Sequence, residues 1–172
     1  IPIPYAAIGV THGWTDRLDV AANLHLLPLA YGVVGFDAGA AWFPIHSEGA
    51  RPTIGIQPRL LVLTSLRSDV ETRVRSYPIL TLTAAQFALL PGLYTGADIT
   101  VPFTRRNYDR DAEHAILSPF IGYRTSIGKR TRLFSEMKWH GANVRTDRAA
   151  VEYIHPARRG ALALLIAVQR DF

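Results

Sequence analysis

Apolar and polar positions alternate one by one along most of this chain, and helical periodicity is scarce. The C-terminal segment is the clearest case. From Gly160 it reads G-A-L-A-L-L-I-A-V-Q-R-D-F. Leu162, Leu164, Ile166, Val168 and Arg170 fall on one side; Ala161, Ala163, Leu165, Ala167, Gln169 and Asp171 fall on the other. A strand sends alternate side chains to opposite faces. One face is therefore bulky and apolar, and the other small or polar. A water-soluble strand turns its bulky face to a core and its charged face to solvent. This pattern instead suits lipid on one side and a crowded polar lumen on the other.

Eight earlier segments alternate in the same way. Segment 5–14 sets Ile8 and Val10 against Gly9 and Thr11, and 18–27 sets Leu18, Val20 and Leu24 against Asp19, Asn23 and His25. Segment 33–43 sets Val34, Phe36 and Trp42 against Gly35, Asp37 and Gly39, and 53–64 sets Ile54, Ile56, Leu60 and Val62 against Gly55, Gln57 and Arg59. Segment 77–87 sets Leu80 and Leu82 against Thr81 and Thr83, and 92–103 sets Ile99, Val101 and Phe103 against Tyr94, Asp98 and Thr100. Segment 115–128 sets Leu117, Ile121 and Tyr123 against Ser118 and Arg124, and 132–142 sets Leu133, Met137 and Trp139 against Glu136, Lys138 and His140.

Most of these segments are as long as the roughly 9–11 residues that a tilted strand needs to cross a bilayer, and longer than the ~5–6 typical of soluble strands. Pro58 and Pro119 fall inside strands, and each predicts a bulge or a locally unpaired site. The connections differ in kind: tight turns at 14–18 and 128–131, a short apolar one at 87–92, a somewhat longer one at 46–52, and long charged ones at 65–76, 104–114 and 143–159. The connection 30–33 is brief.

Composition narrows the picture. The 172 residues make one domain, read as a single β-barrel over 1–172, with no cysteine for disulfides or thiolate metal sites. No apolar run approaches the roughly 18 residues of a membrane helix, so any membrane crossing is by strands. The net charge of +5 invites nucleic acid, but the basic residues are nearly all arginines scattered over separate loops. With no continuous basic stripe and interleaved aromatics, no nucleic-acid partner is expected. The chain opens I-P-I-P-Y, which reads as a mature or truncated product.

The alternation and the final strand ending on Phe172 resemble a small bacterial outer-membrane β-barrel protein over essentially the full length. The resemblance implies that Phe172, with Val168 and Ile166, forms the terminal signal read by the barrel-assembly machinery; Arg170 departs from the usual apolar residue there. It implies an antiparallel up-and-down barrel of 8–10 strands in the outer membrane, with the C-terminus periplasmic. Tracing back from Phe172 then puts the long charged loops and 30–33 outside the cell and the tight turns in the periplasm. Segment 5–14 would run toward the periplasm, and nine strands is an odd number. The expectation is one upward strand ahead of Ile1, giving ten; the alternative is eight, with 5–14 or 77–87 outside the wall or merged. Trp14, Trp42, Tyr123 and Phe172 at one end and Tyr77, Phe103 and Trp139 at the other read as interfacial girdles.

On this reading the lumen gathers Asp19, Asn23, His25, Asp37, Gln57, Arg59, Asp98, Arg124, Glu136 and Lys138. Opposed charges there should pair and plug the barrel, because an unpaired buried charge is costly. Arg67, Arg73, Arg75, Arg105, Arg106, Arg110, Arg145, Arg148, Arg158 and Arg159 fall in the outer connections. Their guanidinium forks suit phosphate, so lipopolysaccharide is the expected lipid contact, beside a solvated-loop reading or a protein partner in the envelope. No cofactor or metal is expected. Catalytic signals are weak: His114 and Ser118 lie about 13 Å apart along a strand, and the D-R-D-A-E-H cluster at 109–114 is one that charged loops readily produce. The expected role is structural or interactive, including that of a subunit in an envelope assembly, and not enzymatic. The alternatives are a barrel enzyme hydrolysing lipid or peptide, with His114 and Asp111 as its residues, and a soluble lipocalin-like ligand-binding barrel.

Overall fold

The computed structural model describes residues 7–26, 32–46, 51–66, 74–101, 115–145 and 159–170. All regular structure among them is strand: β1 (Ala7–Thr15), β2 (Leu18–His25), β3 (Val33–Ile45), β4 (Thr53–Ser65), β5 (Val74–Phe87), β6 (Leu90–Thr100), β7 (Ile116–Gly128), β8 (Thr131–Arg145) and β9 (Arg159–Arg170). They form one antiparallel up-and-down sheet in sequence order, curled into a half-barrel. Each of the nine alternating segments of the sequence became a strand. The alternation is a local property, and antiparallel neighbours joined by tight turns need only local register. Asp16–Arg17, Ala88–Leu89 and Lys129–Arg130 are the tight turns at one end of the sheet. β6 starts at Leu90, two residues before the alternation becomes regular.

The faces are inverted relative to a soluble domain. The buried polar residues are His25, Asp37, Thr81, Asp98 and Ser118, whereas the one buried hydrophobic residue among those described is Phe120. Leu164 is 72% exposed, Ile166 68% and Ile8 65%. Ile8, Leu24, Phe36, Val62 and Ser76 stand in one cross-strand row on the convex side, fixed by the pairs Ile8↔Leu24, Leu24↔Phe36, Phe36↔Val62 and Val62↔Ser76. Large apolar side chains thus point out of the curl, and the carboxylates and cations point into it.

The two strand prolines interrupt the ladders as a missing amide requires. The β3–β4 ladder keeps its register but skips the residues opposite Pro58, between Gly39↔Arg59 and Trp42↔Ile56. Above Pro119 the β7–β8 ladder stops at Phe120↔Lys138, and side chains take over. The Leu117 amide donates to Asn143 Oδ1 at 2.9 Å, Asn143 Nδ2 donates to the Ala115 carbonyl at 2.7 Å, and the Gly141 amide donates to Ser118 Oγ at 3.1 Å. Gly141 and Gly160 adopt left-handed φ values of 62° and 56° where β8 and β9 shift register, a conformation costly for other residues.

Gly96 marks a close approach of backbone to the inner wall. A Cβ there would overlap the Leu82 carbonyl oxygen and sit 2.6 Å from Phe120 Cζ. Gly96→Ala is expected to cost about 1–3 kcal/mol, the range for overpacking. Gly128→Ala, with 3.8 Å to the nearest atom, should be near neutral. Urea midpoints of the two variants check this.

Candidate functional site

The inner face is built by register. On β4, Gln57 and Arg59 share a face with Leu61 and Leu63; on β5, Thr81, Ile79, Tyr77 and Arg75 oppose them in that order, and Thr83 lies on the same face opposite Gly55. On β6, Asp98 sits beside Thr81 and Ser118, and on β8, Glu136 and Lys138 face inward beside Gly122 and Phe120. These side chains line a cavity of about 770 Å³ that also takes in His25, Asp37, Tyr94 and Arg124.

Two polar groups form within it. In the first, Asp98 is the hub. Thr81 Oγ1 donates to its Oδ1 at 2.6 Å, Lys138 Nζ lies 2.8 Å from its Oδ2, and Arg59 Nη2 lies 3.3 Å from the same oxygen. Arg59 Nη2 also donates to Thr81 Oγ1 at 3.3 Å, and Lys138 reaches Glu136 Oε1 at 3.5 Å. Lys138 Nζ further sits 5.0 Å from the Phe120 ring centroid, a cation–π position. One carboxylate therefore serves two cations from strands on either side of it, a geometry in which removing the carboxylate strands both charges.

The second group lies on β2 and β3. His25 Nε2 and Asp37 Oδ2 are 2.6 Å apart, and Asn23 Nδ2 donates to Asp37 Oδ1 at 3.0 Å. Both oxygens of Asp37 are engaged, which satisfies a residue only 3% exposed. Asp19 faces inward beside Gly13 and Ala41, away from both groups; Gln57 stands opposite Thr81 in the cavity wall, and Arg124 lines the cavity below Phe120.

No protein-family model, curated protein or solved structure matches this chain. The inner face must therefore be read from its own chemistry. Among the described residues no cluster of three or more metal-ligating side chains forms. The polar groups are paired carboxylates and cations with neighbouring hydroxyl and amide donors, an arrangement that crosslinks strands across the curl.

The sequence pattern missed one part of this face. Leu60–Leu63 is apolar on both sides of β4, so alternation fails there. Leu61 and Leu63 point inward and meet Tyr77 and Arg75 across the β4–β5 ladder. With Ile79 they form an apolar shelf in the cavity wall above Arg59. Tyr77 therefore belongs to the inner face and not to an outward girdle. Four consecutive apolar residues were the available signal. Thr81, Ser118 and Asn143 were also missed as partners, because a hydroxyl or amide reveals its role only once a neighbour's register is known.

The outward aromatics Trp14, Trp42 and Tyr123 stand exposed at the tight-turn end. Trp139, at the opposite end, donates from Nε1 to the Arg159 carbonyl at 2.8 Å. Arg75, Arg145 and Arg159 lie within β5, β8 and β9, with Arg145 paired to Arg159, and not in connections. Arg67, Arg73, Arg105, Arg106, Arg110, Arg148 and Arg158, with Asp111, His114, Phe103 and Phe172, lie outside the described residues. Val168 and Ile166 are outward and exposed on β9.

Proposed function

We propose that this protein is an integral β-barrel of a bacterial outer membrane, structural or interactive in role. The observation that carries the reading is the inverted face distribution: charges gather inside the curl, and a belt including Ile8, Leu24, Phe36, Leu82, Ile121, Leu164 and Ile166 faces out. In water that belt is an exposed apolar surface far larger than a soluble monomer tolerates. Against acyl chains it is matched to its solvent, and the antiparallel ladders from β1 to β9 satisfy the backbone groups between neighbouring strands. Trp14, Trp42 and Tyr123 at one edge suit the headgroup zone.

In this role the Asp98 and Asp37 groups hold the wall together from inside. The loop arginines present guanidinium forks to lipopolysaccharide phosphates or to an envelope partner. Val168, Ile166 and Phe172 serve as the assembly signal. The soluble ligand-binding alternative requires the bulky face inward, opposite to the observed orientation of Ile8, Leu164 and Ile166.

Tryptophan quenching tests the proposal. In the folded natural polypeptide reconstituted with lipids brominated on the acyl chain near the headgroup, Trp14 and Trp42 should be strongly quenched. Heat-modifiable migration in detergent should accompany this. Unquenched emission from protein that stays soluble without detergent would remove the membrane reading.

A further inference from the structure

Four large apolar side chains form a continuous surface on the inner face of β4 and β5. Leu61 and Leu63 stand on β4, Tyr77 and Ile79 on β5, in adjacent rows set by the pairs Leu63↔Arg75, Leu61↔Tyr77 and Arg59↔Ile79. All four line the larger cavity. Each is half-buried, so part of its surface stays open. Leu63 leans toward β3: a Cβ on Gly35 would stand 3.0 Å from its Cδ2 and 3.0 Å from His25 Cβ. Open apolar area beside charged groups carries a cost that a covering hydrocarbon removes.

The charges around this shelf differ in their commitments. Asp37, on β3, stands in the row of Leu61, and His25 and Asn23 take its two oxygens. Arg59, in the row of Ile79, gives Nη2 to Thr81 and Asp98. Arg75 stands in the row of Leu63, one inward step beyond Tyr77, and is half-buried. Among the described residues no carboxylate pairs with Arg75.

Length and charge define what fits. Arg75 and Ile79 are four residues apart on β5, roughly 13 Å of strand. That is less than half of the ~30 Å hydrocarbon core of a bilayer, so the shelf suits one short alkyl chain laid along the strands. The cavity of about 770 Å³ has the size of a small-molecule site. A carboxylate takes a guanidinium fork in two parallel hydrogen bonds and balances its single charge. A phosphate monoester carries nearly two charges and would set the excess close to Asp37.

We infer that the inner face of β4 and β5 binds a medium-chain aliphatic monocarboxylate, with its chain on Leu61, Leu63, Tyr77 and Ile79 and its carboxylate at Arg75. The ligand uses none of the hydrogen bonds that hold the Asp98 and Asp37 groups together. The site therefore adds a binding function to the structural role proposed above.

Decanoate is the probe. The folded protein, with isotope-labelled leucine and isoleucine methyl groups, is placed in nanodiscs of chain-deuterated lipid and titrated with it. The expected result is saturable nuclear Overhauser contacts from the decanoate methylenes to Leu61, Leu63 and Ile79. Leu60, Leu80 and Leu82 are outward and exposed, so they meet only decanoate dissolved in the bilayer and show no saturation. Decanol, with the same chain and no charge, should bind about 10–100-fold more weakly than decanoate, the loss expected for hydrogen bonds to a charged group. Arg75→Met should weaken decanoate by a similar factor and leave decanol unchanged, and Arg75→Lys should restore part of the loss. Contacts confined to the outward leucines, equal affinity for decanol and decanoate, or an unchanged decanoate Kd in Arg75→Met would each overturn the site and leave the membrane reading intact. Saturable contacts at Leu61 and Leu63 in a protein that stays soluble without detergent would keep the site and sink the membrane reading.

Discussion

Replacing Asp98 with leucine should destabilise the folded sheet by about 3–5 kcal/mol, the cost of leaving buried charge without its partner. The two cations it serves come from β4 and β8, at 3.3 Å from Arg59 and 2.8 Å from Lys138, and their side chains are 22% and 11% exposed. Water can relieve neither fully. Thr81 also loses its acceptor at 2.6 Å. The control removes the charges together: Arg59→Met, Asp98→Leu, Lys138→Met and Glu136→Gln in one chain. A buried ionic set replaced as a whole by apolar groups is often neutral, so most of the loss should be recovered. Urea midpoints for reversible folding in micelles measure both. A single-variant cost below about 1 kcal/mol, the scale of an exposed pair, would mean that this network does not hold the wall.

The second large effect is on the outer face and depends on the solvent there. Ile121 is central in β7, and Leu80 is central in β5; both are outward and exposed. If acyl chains surround them, Ile121→Arg and Leu80→Arg should each cost about 2–4 kcal/mol in bilayers. Ile127→Arg, close to the tight turn at Lys129–Arg130, should cost only about 0–1 kcal/mol, because there the side chain reaches the headgroups. In water all three substitutions replace an exposed apolar group with a solvated charge and should be nearly neutral. A flat profile from Ile121 to Ile127 in vesicles would contradict a lipid-facing surface.

The division of labour between local and distant information is visible in single residues. Leu164 and Ile166 announced their face through their immediate neighbours, and so did Asp98 and Lys138. Pro58 and Pro119 announced interruptions in the ladders for an equally local reason, the missing amide. The partners of those residues could not be read in this way. Asp98 meets Lys138 across an intervening strand, and that meeting depends on the pairs Asp98↔Ser118 and Phe120↔Lys138 holding in series. Asp19 carries the same alternation signal as Asp37, yet joins neither polar group. Leu61 and Leu63 looked like a lapse in the pattern until β5 placed Tyr77 opposite them.

By itself, the sequence determined the nine strand-forming segments, the two faces and which connections are tight, because a period of two and a turn's backbone chemistry are written within a few residues. Only the tertiary structure decided which inward groups pair, that part of the inner wall is apolar, and that β1 and β9 form the two edges of the sheet among the described residues. Those outcomes follow from accumulated register and curvature across the whole sheet, which no short stretch of chain encodes.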